Sequence, residues 1–235
     1  MTDEPINLSS ISGINERVVT LESGLSMQLF EGGKGVPVVF LHGFPDLAWT
    51  WRYQIEALVS DFRVVAPNLR GYGKTTSPKH WREYSVEGHL VNDVAELLNN
   101  LEIEKAHLVA HDWGGSIAWH FAQCHPERLL SLSVVNCPHP YVFEKALRTW
   151  RQFKRSWYMK FFQIPGLPES RVSRDPQAFI QRVFRSKAFN EEAFSDANLS
   201  PMIHQVATFG LKGGINYYRA RSRFPLKHDT HRFIE

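Results

Sequence analysis

The sequence predicts an α/β fold with a mostly parallel, doubly wound sheet and an all-helical insertion. In the first half, short apolar runs alternate with helical patterns over short links, which is typical of such a sheet. After Asn136 no further alternation appears, and only helical signals follow. The 235 residues, 43% hydrophobic and 22% charged, are enough to bury a sizeable core and exclude a disordered or fibrous chain.

The elements of the first half follow from apolar periodicity and turn residues. The continuous run VPVVFL at 36–41 indicates a strand buried on both faces. Ser85 is expected to cap a helix whose apolar residues recur at helical spacing: Leu90, Val94, Leu97, Leu98 and Leu101. We expect further strands at 17–22, 25–31, 62–66, 106–110 and 129–135, and helices at 47–59 and 114–124.

The second half predicts a series of helices. The first is expected over 144–163, with one apolar stripe formed by Ala146, Trp150, Phe153, Trp157 and Phe161. Three further helices are expected to open at Asp175-Pro176, Asn190 and Ser200-Pro201. The pair Gly213-Gly214 is expected to break the pattern before a last helix over 215–223.

Charge and cysteine content limit the classes of partner and the cellular compartment that we expect for this chain. Residues 1–143 carry 10 Lys and Arg against 16 Asp and Glu, a balance of −6, and residues 144–235 carry 17 against 8, a balance of +9. We interpret the basic half as a solvated helical face, so neither nucleic acid nor a membrane is expected as a partner. Two cysteines, Cys124 and Cys137, exclude a disulfide framework, and with no visible signal peptide they favour the cytoplasm.

The stretch from Leu108 to Gly115 is the most informative for function. A strand runs directly into a helix with small residues at Ala110 and Gly114, the pattern of a nucleophile elbow. Asp112 stands at the apex, where a helix N-terminus favours an ionised carboxylate. By itself this pattern is also that of a simple helix cap.

The motif His42-Gly43-Phe44-Pro45 supplies the context that favours a nucleophile. It follows a buried strand and precedes the elbow by about 70 residues. In such a fold this loop and the residue after the nucleophile donate the two N–H groups of an oxyanion hole, here from Phe44 and Trp113. We also expect His42, Pro45 and Trp113 to contact substrate.

With residues 42–54, 70–74 and 111–115, the chain resembles the α/β-hydrolase superfamily, in the branch whose nucleophile is aspartate: the epoxide hydrolases and haloalkane dehalogenases. The resemblance covers roughly residues 36–235. It implies an α/β-hydrolase core over 1–137, a helical cap over 138–228 and the start of a return to the core at 229–235.

Two cap motifs distinguish the alternatives. Residues 157–166 and 216–219 resemble the epoxide hydrolase cap, which implies that Tyr158 and Tyr218 polarise the epoxide oxygen. Tyr217 is expected to pack. The implied function is opening of an apolar epoxide with water to a diol, through an alkyl ester on Asp112. A haloalkane dehalogenase and a non-catalytic remnant that binds a ligand or partner remain alternatives.

The resemblance also implies residues that the sequence does not supply. In this family a charge-relay acid and a base histidine follow core strands after the cap, and no such strand is recognisable before Glu235. We therefore expect the last core strands and helices to be absent and the chain to be inactive. We also expect the strand at 129–135 to be an unpaired edge strand that can pair with strands of other chains. No cofactor or metal is expected, since His228 and His231 have no further ligands nearby, and the oligomeric state stays open.

Overall fold

A computed structural model describes residues 7–186, 188–190 and 192–224, and its centre is a six-stranded sheet. The spatial order of the strands is β1-β2-β4-β3-β5-β6. β1 pairs antiparallel with β2 and β2 with β4, whereas all other neighbours are parallel. The strands are β1 Ile14–Thr20, β2 Ser26–Gly32, β3 Pro37–Leu41, β4 Arg63–Pro67, β5 Ala106–His111 and β6 Leu129–Val135. The mostly parallel sheet predicted from the sequence is confirmed.

Three helices pack with this sheet: α1 Arg52–Leu58, α2 Val91–Asn100 and α3 Trp113–Cys124. α1 is preceded by a 3₁₀ turn at Ala48–Trp51, and α2 by a π turn at Val86–Leu90. The five apolar residues predicted for α2 and its flanks are all buried. Ser85 precedes the π turn, but its hydroxyl bonds with Nδ1 of His89 at 2.8 Å and not with a backbone N–H, so the predicted side-chain cap is wrong.

Beyond β6 the described chain is helical. Its helices are α4 Pro140–Leu147, α5 Trp150–Arg155, α6 Trp157–Phe161, α7 Leu167–Arg174, α8 Pro176–Arg185, α9 Asp196–Phe209 and α10 Lys212–Arg223. None of the helices in the described ranges is long and apolar enough to cross a membrane. The boundary expected at 228 and the return to the core at 229–235 lie outside the described residues.

The single helix expected over 144–163 is wrong, because three short helices, α4 to α6, occupy this segment. Thr149 is extended, and its hydroxyl accepts a hydrogen bond from the N–H of Gln152 at 3.3 Å, which starts α5 as a separate helix. Ser156, buried at the next junction, separates α5 from α6. The expected apolar stripe faces solvent at Trp150, Phe153 and Trp157.

The other helix starts of the insertion are partly confirmed. The carboxylate of Asp175 caps α8 by accepting from the N–H of Ala178 at 2.8 Å. Asn190 precedes only a 3₁₀ turn, Glu192–Phe194. Pro201 lies inside α9, since Ser195 supplies the cap one and a half turns earlier. The two glycines expected to break the pattern lie inside α10.

Candidate active site

The elbow at Asp112 is a strained turn between β5 and α3. Asp112 has φ 51° and ψ −117°, a conformation that side-chain-bearing residues rarely adopt. A Cβ on Gly114 would lie 2.4 Å from the carbonyl oxygen of Leu41, and one on Gly43 would lie 2.4 Å from Cβ of Asp112. The small residues on either side are therefore required for the strands and α3 to approach this closely.

Two backbone N–H groups lie at the Asp112 carboxylate. The N–H of Phe44 donates to Oδ1 at 2.8 Å, and the N–H of Trp113, the next residue, is close enough to lower the pKa of the carboxyl. Burial raises the pKa of Asp112, and the backbone N–H groups of Phe44 and Trp113 lower it. The structure thus brings together the aspartate and both N–H groups that the sequence predicts.

Tyr158 on α6 and Tyr218 on α10 meet above this carboxylate. Their ring centroids lie 5.7 Å apart in an edge-to-face arrangement. The ring of Trp113 also meets Tyr218 edge to face, with centroids 5.0 Å apart. Burial raises the pKa of both hydroxyls, and the nearby charge of Asp112 raises them further. Both tyrosines are therefore protonated at neutral pH and can act as hydrogen-bond donors.

A cavity of about 460 Å³ is lined by Asp112, Trp113, Tyr158 and Tyr218. This volume is in the range of small-molecule sites. Most of its remaining wall is apolar, with side chains that include Pro138, Pro140, Val142, Phe143 and Met159. No histidine is among the described residues that line it. The cavity therefore combines one carboxylate and two proton donors with a largely apolar wall that also carries Arg155 and Arg221.

Arg219 fixes the two helices that carry the tyrosines, and sequence reasoning missed it. Its guanidinium is buried and donates to the carbonyl oxygens of Phe162 and Ile164 at 3.0 Å each, just beyond α6. It also pairs with Glu169 at 2.6 Å. The sequence shows only an arginine directly after Tyr218. Its hydrogen-bond partners lie about 50 residues earlier in the chain, so no local pattern reveals its role.

His42 and Pro45, expected to contact substrate, do not lie on the described cavity wall. Nε2 of His42 accepts a hydrogen bond from the N–H of Leu69 at 2.9 Å, so Nδ1 carries the proton and donates to the carbonyl oxygen of Gly43 at 2.9 Å. Burial lowers the pKa of His42 to about 4, which keeps the ring neutral. Pro45 is also buried. His42 therefore positions the loop that carries the Phe44 N–H.

Asp46, next in the same loop, is a second residue that sequence reasoning missed. Its side chain is buried, Oδ1 accepts from the N–H of Leu47 at 2.8 Å, and burial raises its pKa to about 6. The described residues contain no group of three or more His, Cys, Asp or Glu side chains that could hold a metal ion. His228 and His231 lie outside the described ranges.

Comparison with known proteins places the chain in a family. Residues 36–228 match the family model described as alpha/beta hydrolase fold. The chain is 39% identical over 216 residues to "Epoxide hydrolase 4" of Homo sapiens, with 88% of this chain and 59% of that protein covered. It is 36% identical over 231 residues to "Epoxide hydrolase 3" of Siraitia grosvenorii, with 87% of this chain and 72% of that protein covered.

A solved structure agrees with these relatives. The Bacillus megaterium epoxide hydrolase, solved in complex with an inhibitor, aligns with a TM-score of 0.80 at 31% identity, covering 87% of this chain and 71% of that one. The chain spans 53% to 60% of the length of the first curated relatives it matches. On these matches and on the fold described above, the chain belongs to the alpha/beta hydrolase fold family, in its epoxide hydrolase branch.

Proposed function

We propose that Asp112 opens an epoxide by attacking a ring carbon. The product of this step is an alkyl ester that joins the Asp112 carboxylate to the substrate. The observation that carries this proposal is the single cavity lined by the Asp112 carboxylate and by the hydroxyls of Tyr158 and Tyr218. A carboxylate that attacks saturated carbon needs a leaving group, and an epoxide oxygen leaves only if it receives a proton. The cavity supplies both groups.

The hydrogen bonds around Asp112 assign roles to its two oxygens. Because Oδ1 is held by the N–H of Phe44, Oδ2 is the attacking atom. Its electron pair forms the new C–O bond, the ring C–O bond breaks, and the departing oxygen takes a proton from a tyrosine. The hydroxyls of Tyr158 and Tyr218 lie on the same cavity wall, and both can donate. We therefore assign the proton to this pair of tyrosines.

Release of a diol requires a second step. Water attacks Cγ of the ester, and the negative charge develops on Oδ1, at the N–H groups of Phe44 and Trp113. That water needs a base, and no histidine is among the described residues of the cavity wall. We propose that these residues perform the capture step and that the ester persists in this chain by itself.

The haloalkane dehalogenase is the weaker alternative. A halide leaves as a stable anion, needs no proton and is stabilised by N–H donors such as an indole. Here the ring of Trp113 packs edge to face against Tyr218, with centroids 5.0 Å apart. Two buried hydroxyls with raised pKa values suit an alkoxide, which takes a proton as it leaves. The site therefore favours an epoxide.

The substrate and the compartment are proposals as well. The apolar walls of the cavity favour a small apolar epoxide, with water as the second reactant. Cys124 and Cys137 are both free thiols. Free thiols suit a reducing compartment, so we propose that the protein works in the cytoplasm.

Intact-protein mass spectrometry after incubation with styrene oxide tests the capture step. We expect a mass increase of one epoxide, mapped to the peptide that contains Asp112, and no adduct on Asp112→Asn. Tyr158→Phe and Tyr218→Phe should each slow adduct formation by roughly 10²-fold or more, because each removes one of the two hydroxyls. Tyr53→Phe, at a half-exposed tyrosine on α1, serves as the matched control and should react like the unmodified chain.

Three results would contradict this assignment. An adduct that survives Asp112→Asn would place the nucleophile elsewhere. An adduct with 1-bromobutane and none with the epoxide would favour the dehalogenase. A folded chain that reacts with neither compound would indicate a protein that binds a ligand without chemistry.

A further inference from the structure

Helices α5 and α6 expose large aromatic side chains. Trp150 is 68% exposed, Trp157 62% and Phe153 46%. The rings of Trp150 and Phe153 stack on each other, with centroids 5.7 Å apart and planes 12° from parallel. Scattered apolar residues are common on protein surfaces, but two tryptophans and a phenylalanine within eight residues mark an interaction site.

The same helices are strongly basic. Between residues 140 and 165 the only acidic residue is Glu144, which pairs with Arg221 at 2.6 Å. Against it stand six exposed cationic side chains: Lys145, Arg148, Arg151, Lys154, Arg155 and Lys160. The Nζ atom of Lys154 lies 5.0 Å from the centre of the Trp150 ring, so charge and aromatic surface are interleaved.

The charge balance of the sequence suggested only a solvated face, but the exposed rings among these charges change that interpretation. We propose that this surface, the basic aromatic face of α4 to α6, docks on an anionic lipid membrane. Tryptophan prefers the level of the lipid headgroups, and neighbouring Lys and Arg side chains are attracted by anionic lipids. No spanning helix is needed for such binding, because amphipathic helices can lie in the plane of the interface.

The arrangement of the rings favours lipid over nucleic acid. Binding of single-stranded nucleic acid uses aromatic faces that are free to stack on bases. Here Phe153 covers one face of Trp150, and Lys154 lies over the same ring. Insertion among headgroups requires only that the exposed parts of the rings leave water, which this arrangement permits.

The basic aromatic face lies next to the cavity, so membrane docking would bring the cavity close to substrates dissolved in lipid. This role for docking rests on the proposed function. Val142, Ala146 and Arg155 belong to α4 and α5 and also line the cavity that contains Asp112. Val142 is itself 55% exposed. An apolar epoxide dissolved in the lipid would therefore reach the cavity without crossing water. Membrane binding itself is measured without turnover, so its test does not depend on whether the proposed epoxide chemistry is correct.

Vesicle flotation with the chain tests the proposal. We expect the chain to float with phosphatidylcholine vesicles that contain roughly 30% phosphatidylserine, and binding to fall about tenfold or more without the anionic lipid. Because the attraction is electrostatic, about 0.5 M NaCl should weaken it to a similar degree. Tryptophan fluorescence should shift to shorter wavelength on binding as Trp150 and Trp157 leave water.

Two double variants separate the contributions of the rings and the charges. Trp150→Ala with Trp157→Ala, and Arg151→Glu with Lys154→Glu, should each lower vesicle binding about tenfold or more. All four residues are exposed, so the fold should persist, which circular dichroism checks. The matched control, Phe209→Ala with Arg182→Glu, changes an exposed ring and an exposed charge on α9 and α8 and should leave binding unchanged.

The proposal is overturned by any of three results. One is equal binding to neutral and anionic vesicles. Another is binding that neither double variant reduces below the control. The third is no binding to either kind of vesicle. A wild-type dimer that the tryptophan variant converts to a monomer in sedimentation would then make this face a contact between copies of the chain.

Discussion

Two buried tyrosines, Tyr72 in the loop after β4 and Tyr217 on α10, have their ring centroids 5.9 Å apart. The hydroxyl of Tyr217 donates to the carbonyl oxygen of Arg70 at 2.8 Å. The hydroxyl of Tyr72 has no hydrogen-bond partner among the described residues. A buried hydroxyl without a partner costs free energy, whereas a bonded one contributes to stability.

Removing each hydroxyl should therefore change stability in opposite directions. We expect Tyr72→Phe to raise the free energy of unfolding by about 1 kcal/mol, and Tyr217→Phe to lower it by about 1 kcal/mol because the Arg70 carbonyl loses its donor. Urea denaturation of both variants measures this, and each is the control for the other since the ring is retained. Equal losses in the two variants would show that the Tyr72 hydroxyl has a partner.

At this scale the sequence predicted residues whose roles are encoded locally. The elbow and the loop after β3 are each recognisable from a few consecutive residues. The sequence therefore predicts that Asp112, Phe44 and Trp113 lie together in one site. Arg219 could not, because its function depends on carbonyl groups about 50 residues earlier in the chain. His42 lies in a recognisable motif, but whether its ring faces substrate or backbone depends on the loop that carries Leu69.

Among the elements, the strands were predicted well and the cap helices poorly, for a physical reason. A buried strand shows as a continuous apolar run bounded by turn residues, as at β3. The cap helices are short, and residues such as Thr149 serve as helix starts only because the chain turns there. Gly213 and Gly214 were expected to break a helix, but both lie in α10. Glycine is required at these positions because neighbouring atoms pack too closely to leave room for a Cβ.

The contact at Gly213 joins the cap to the core through backbone alone. A Cβ on Gly213 would lie 2.4 Å from the carbonyl oxygen of Gly71, in the loop after β4. Gly71 itself has φ +83°, which side-chain-bearing residues rarely adopt. Because α10 also carries Tyr218, this close approach sets the height of that hydroxyl above Asp112.

Gly213→Ala should therefore reverse the usual effect of this substitution in a helix. Alanine normally stabilises a helix interior by about 1 kcal/mol relative to glycine. Here we expect the protein to be destabilised by about 1–3 kcal/mol and the adduct on Asp112 to form more slowly, since α10 must move outward. Thermal melts and mass spectrometry measure both effects.

Gly88→Ala is the control for this substitution, because a Cβ there would approach only the side-chain Oγ of Ser85, at 2.8 Å, which can move at the cost of its bond to His89. It should leave the adduct rate unchanged. A Gly213→Ala variant as stable and reactive as the wild type would show that α10 can shift without consequence for the site.

At the scale of the whole molecule, the two edges of the described sheet differ in chemistry. β1 carries Glu16 and Arg17 at one edge. At the other, β6 pairs only with β5 in the described part of the chain, and its sequence LLSLSVV has no charge and no proline. Leu130 is 47% exposed and Val135 50%. A strand of this kind is a template for pairing with other chains, whereas charges on an edge oppose it.

We therefore expect the chain, expressed by itself, to associate through β6, and Leu130→Lys to reduce that association. A lysine on an edge strand must lose hydration if another strand pairs there, so it disfavours the paired state. Sedimentation velocity should show fewer large species for Leu130→Lys than for the unmodified chain. Val18→Lys is the matched control, because Val18 is 55% exposed on β1. If both lysines reduced association equally, net charge would explain the effect, and if neither did, the contact would lie away from both edges.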